Sequence, residues 1–151
     1  MEWSDGCAYG RPLYGGREHE ADPGVTVIGP EEAHEVVRAA ASEDCLLFRL
    51  STEGRSGIKA FFDAARRTLP LDPPLAGSRS WDALADSLWE GIHALERDRV
   101  VLLWPDAASF AEASPEEFRT AVNVLTDVAE LLSDDKATTR RPTDLCVYIG
   151  T

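Results

Sequence analysis

Three carboxylates recur four residues apart in the stretch SRSWDALADSLWEGIH, residues 78 to 93. On a helix Asp82, Asp86 and Glu90 share one face, while Trp81, Leu84, Leu88 and Ile92 share another. Like charges at this spacing cost an isolated helix about 0.2–0.5 kcal/mol per pair. Two chemistries use carboxylates arranged in this way. A pair whose environments separate their proton affinities performs general acid and base catalysis, which would make the chain a small hydrolase. A row of fixed negative charge also accepts charge-assisted hydrogen bonds from a basic protein surface. Each acid has a plainer reading as well. Asp82 falls in the first turn, where a carboxylate meets the helix dipole favourably. Asp86 and Glu90 lack that support, and their plain reading is a solvated face.

The residues around the acids favour binding over catalysis. No convergent His, Lys or metal cluster accompanies them. Glu31-x-x-His34 and Glu90-x-x-His93 have the Glu-x-x-His spacing of di-iron bundles, but such sites need four inward-facing helices and two further Glu. No GxSxG, P-loop or HExxH motif occurs, and the glycines of Tyr14-Gly15-Gly16-Arg17-Glu18 lack the strand-to-helix setting of a phosphate loop. No catalytic residue, metal or cofactor is therefore expected. The 151 residues carry a formal charge of −12 with a pI near 4.6. That argues against direct contact with nucleic acid, which needs clustered Lys and Arg, and favours a basic partner. Trp81 lies on the apolar stripe and is expected in the core. Trp89 stands beside the acids, either as an interface anchor or packed on the proline-rich loop before the helix.

The three cysteines, Cys7, Cys45 and Cys146, have no framework spacing and are expected as reduced, buried thiols of a cytoplasmic protein. The opening MEWSDGCAYG lacks the basic and apolar regions of a signal peptide, and no apolar run is long enough to span a membrane.

The elements that must position the acids alternate in type. Residues 1–24, rich in glycine and anchored only by Trp3, Tyr9 and Tyr14, read as an irregular arm or tail. Residues 25–151 read as one domain. VTVI (25–28) is a short β-branched run, and Pro30 opens a helix to about Ala41. CLLFRL (45–50) is a strand. IKAFFDAARRTL presents Ile58, Phe61, Phe62, Ala65 and Leu69 as a helical stripe. LPLDPPLAG (69–77) cannot be regular, and Ser80 caps the acidic helix. RVVLLW (99–104) is a strand buried on both faces, and PDAASFAEA a loop or short helix. Ser114-Pro115-Glu116-Glu117 reads as a capping box for a helix reaching Ser133, and DLCVYI (144–149) is the last strand. This alternation predicts an α/β domain with a mainly parallel sheet of three strands, VTVI adding at an edge.

At Gly77-Ser78-Arg79-Ser80-Trp81-Asp82-Ala83-Leu84-Ala85-Asp86-Ser87-Leu88 the chain resembles the barstar family, intracellular inhibitors of secreted microbial ribonucleases. Members show aromatic-Gly-x-Asn-Trp-Asp-Ala-Leu-x-Asp-Cys-Leu entering a helix. The order of elements over residues 45–150 is similar too. Here Leu75 and Ala76 replace the aromatic pair, Ser80 the Asn and Ser87 the Cys, and residues 1–44 have no counterpart in the smallest members. The resemblance implies a cytoplasmic inhibitor or immunity protein, monomeric when free, whose loop and helix plug the basic active site of a ribonuclease or nuclease-type toxin. Asp82 and Asp86 would meet the basic residues that otherwise hold phosphate. Ser78, Ser80, Trp89 and Glu90 are the neighbouring candidates for the partner-binding surface, Glu90 on its place in the acidic row and not on the resemblance. A later-helix acid falls on Asp127, or on Glu130 in the neighbouring register. A regulatory interaction domain that kept the fold and changed partner is the alternative.

Overall fold

The computed structural model describes residues 24–43, 45–75 and 80–151. The expected N-terminal arm, with Trp3, Cys7, Tyr9 and Tyr14, lies outside the described residues. The elements run β1 (Val25–Ile28), α1 (Pro30–Ser42), β2 (Leu46–Arg49), α2 (Ile58–Thr68), α3 (Trp81–Ala94), β3 (Arg99–Trp104), α4 (Ala107–Ala113), α5 (Pro115–Leu132) and β4 (Asp144–Gly150). All strand pairs are parallel, in the order β1-β4-β3-β2. The expected three strands thus form the sheet, and VTVI joins it at the β4 edge as a fourth.

Strand periodicity sets the layers, because successive side chains point to opposite faces. Val100, Leu102 and Trp104 of β3 and Leu145, Val147 and Ile149 of β4 enter one core together with α2, α3, α4 and α5. Val101 and Leu103, with Cys146 and Tyr148, enter a second core, where Val36, Ala33 and Val37 of α1 cover them. The interior strands are therefore apolar on both faces from Val100 to Trp104 and from Leu145 to Ile149, and a helix has to lie on each side. Trp104 is fully buried at the centre of the larger core. Its ring centroid lies 5.3 Å from Phe61, 5.3 Å from Phe110 and 5.6 Å from Phe118.

Side chains close the starts of α1 and α3, while the N-caps of α2, α4 and α5 make no side-chain cap bond. Glu32 Oε1 accepts the Gly29 N–H at 2.7 Å ahead of α1, and Ser80 Oγ accepts the Ala83 N–H at 3.2 Å at the start of α3. The box expected at Ser114-Pro115-Glu116-Glu117 does not form: Ser114 is the N-cap of α5 but makes no side-chain cap bond. Ser114 is also the residue on which α4 ends. Its N–H donates to the Phe110 carbonyl and its own carbonyl accepts the Phe118 N–H. This direct helix-to-helix junction fixes its backbone at φ −137°, ψ 68°.

The cysteine expectation needs correcting. Cys45 is a free, half-buried thiol, but Cys146, buried as expected, is disulfide-bonded rather than reduced. An odd cysteine count without framework spacing does not specify which thiols pair.

On α2, Asp63 sits among three cations: Arg66 at 2.6 Å, Lys59 at 2.7 Å and Arg55 at 3.8 Å. The Lys59 hydrogen bond, assisted by that of Arg66, holds the Asp63 carboxyl below its ordinary value of 3.8. A depressed folded-state value stabilises above the unfolded value, and that contribution disappears as pH falls through the folded one. Asp63→Asn is therefore expected to lower stability at pH 7, with the gap from wild type closing below about pH 4. Urea midpoints measured from pH 2 to 7 check this, and a gap independent of pH would contradict it.

A candidate partner-binding surface on α3 and α5

The sequence of α3 divides the helix into two sides. Leu84, Leu88 and Ile92 are buried in the larger core. Trp81 joins them as a half-buried ring, with centroids 5.4 Å from Phe61 and 5.0 Å from Phe62. On the other side Asp82, Asp86 and Glu90 are all exposed on successive turns. The expected two-faced helix is present, and its acids point to solvent.

Trp89 borders this acidic row. It is half-buried against the core, and its ring stacks on His93 with centroids 4.8 Å apart and planes 20° apart. His93 Nε2 lies 3.2 Å from the Thr138 carbonyl oxygen. That contact links the last turn of α3 to the segment between α5 and β4. Arg141 and Glu96, paired at 3.1 Å, tie the same two regions. Among the described residues the buried Trp89 indole N–H has no hydrogen-bond partner, so packing and stacking hold the ring edge.

Helix α5 packs beside α3 and carries Asp127 and Glu130, both exposed. Ser80 is exposed at the head of α3, where its hydroxyl caps the helix. Ser78 lies outside the described residues. A shallow depression of about 330 Å³ is lined by Ala111, Pro115, Phe118, Arg119, Val122 and Asn123. None of the row Asp82, Asp86, Glu90 lines it. His34 and His93, the histidines of the two Glu-x-x-His spacings, stand on helices packed against opposite faces of the sheet. Among the described residues no group of three or more His, Cys, Asp or Glu is gathered to hold a metal ion.

Sequence reasoning missed how closely the proline-rich loop lies on α3. A methyl group placed on Gly91 would overlap the carbonyl of Pro70, and the Asp72 N–H donates to the Ser87 carbonyl at 3.0 Å. Ser87 and Gly91, small residues four apart, are the only sign of this contact in the sequence.

The family model described as Barstar (barnase inhibitor) matches residues 45–144, or 100 of the 151 residues, from just before β2 to the first residue of β4. No curated protein and no solved structure matched the chain. The matched segment contains the whole of α3 and α5, with their exposed acids. The chain belongs to the barstar family.

Proposed function

We propose that the protein is an inhibitor, or immunity protein, that occludes the basic active site of a ribonuclease or nuclease-type toxin with the exposed face of α3. One observation carries this reading: Asp82, Asp86 and Glu90 are exposed on successive turns of α3, inside the segment that matches the barnase-inhibitor family. A ribonuclease cleft is lined with cations for phosphate. Docked there, the acids lose their mutual repulsion and gain charge-assisted hydrogen bonds. Asp82 and Asp86 are the central contacts, Trp89 the aromatic anchor beside them, and Asp127 the contribution of α5. Ser78, Ser80 and Glu90 complete the surface. The chain does no chemistry of its own and needs no cofactor, since occlusion alone stops the enzyme. It acts as a monomer against its target.

The action proposed is cytoplasmic, in line with the intracellular inhibitors the chain resembles. Among the described residues no helix is long and apolar enough to cross a membrane.

The test is a binding and inhibition panel of basic secreted ribonucleases, with barnase among them, together with nuclease toxins encoded next to the gene. The expected result is saturable inhibition of at least one. Its association rate should fall steeply between about 0.05 and 0.5 M salt, because screening acts on long-range steering before it acts on the docked contacts. No inhibition anywhere in the panel would sink the reading.

A further inference from the structure

The segment from Leu69 to Leu75 meets α3 main chain to main chain. At Gly91 the Pro70 carbonyl occupies the space a side chain would need. One turn earlier the buried Ser87 offers its carbonyl to the Asp72 N–H at 3.0 Å. Leu75 is buried, and Leu71 packs partly buried, in the same core as Leu84, Leu88 and Ile92. Counting 100° per residue, Ser87 and Gly91 lie about 140° and 180° around α3 from Asp82, and about 60° and 100° from Glu90. The loop therefore grips the helix opposite Asp82 and alongside Glu90, and all three acids remain exposed.

We infer that Gly91 is a positioning residue for recognition. It seats the segment from Leu69 to Leu75 on α3 before any partner arrives, so that this segment and the acidic helix are presented as one preformed unit. The inference rests on the inhibitor reading above. A surface ordered in advance does not lose that ordering entropy on association. Apart from Pro, glycine is the poorest helix former, so alanine at position 91 would favour α3 in isolation. In the folded chain it lifts Pro70 and breaks the Asp72–Ser87 bond, which reverses the sign.

Amide hydrogen exchange on the full chain tests this. In the free wild type the Asp72 amide is expected to be protected as well as the amides of α3. In Gly91→Ala it should exchange about a hundredfold faster, a local opening, while the amides of Leu102 and Val147 keep their rates. With the panel ribonuclease that the wild type holds best, Gly91→Ala should lose about tenfold in association rate and less in dissociation rate, the mark of a surface that must now order during docking. An unprotected Asp72 amide in the free wild type overturns the inference even if the variant fails to fold. So does Gly91→Ala with unchanged Asp72 exchange and unchanged association. If the wild type binds no ribonuclease, the inhibitor reading and the recognition role fall together, and Asp72 exchange still decides whether Gly91 seats the loop.

Discussion

Asp86→Ala is expected to weaken binding of the target nuclease at least about thirtyfold, the threshold of an interface hot spot. Glu31→Ala should leave binding within about twofold, as expected of a distant charge in screening salt. The two substitutions remove the same charge from exposed helical positions. They differ in place, for Glu31 lies on α1, on the opposite side of the sheet from α3. Asp86 stands mid-helix between Asp82 and Glu90, so its loss also relieves two like-charge pairs worth about 0.2–0.5 kcal/mol each. Stability should therefore hold or rise slightly while affinity collapses. Part of the lost affinity belongs to nuclease cations left buried and unpaired, not to the contact itself. Titration calorimetry or surface plasmon resonance, paired with urea unfolding of the free variants, reads both effects. Equal losses for Asp86→Ala and Glu31→Ala would mean that net charge, not the α3 face, carries recognition.

Trp104→Ala is expected to cost about 3–5 kcal/mol, the range for truncating a large buried aromatic. Trp104 is fully buried, and three aromatic rings surround it within 5.6 Å. A domain of this size has a total stability of about 5–15 kcal/mol, so the variant would sit near the edge of folding. Its melting temperature should fall by roughly 10 °C. The indole N–H has no hydrogen-bond partner among the described residues, so Trp104→Phe keeps most of the packing, removes an unsatisfied donor and should cost less than about 1.5 kcal/mol. Urea midpoints at constant m-value check the pair. A loss under about 1 kcal/mol for Trp104→Ala would show that the core closes over the gap, contrary to the rigid packing inferred here.

Where the sequence was legible, the reason is periodicity. Val100 to Trp104 read as a strand covered on both faces because every position is apolar, and helices do lie on both sides. The acidic row and its apolar counter-row on α3 follow from a 3.6-residue repeat that the structure keeps intact. What escaped depends on contacts between distant residues. A glycine inside a helix reads as a weak point, and only the structure shows the Pro70 carbonyl in its place. Ser114 and Glu117 have the spacing of a capping box, but spacing does not reveal that Ser114 must also end α4. The pairing state of Cys146 is likewise a fact of tertiary approach. Trp89 was ambiguous from its position one residue off the stripe, and it is half in and half out of the core.

The unit formed by β1 and α1 precedes the segment that matches the family. Through Val25 to Ile28 it pairs with Val147 to Gly150 of β4, and α1 covers Val101, Leu103 and Tyr148. Without it β4 would be an outer strand with its hydrogen-bonding groups bare along an apolar run, which is the template on which chains stack edge to edge. A fragment cut back to Cys45 would carry the whole acidic face and still be prone to aggregate. In this chain the additional strand and helix act as a guard for colloidal solubility, placed far enough from α3 that keeping the protein dispersed and gripping a target place no competing demands on the same residues.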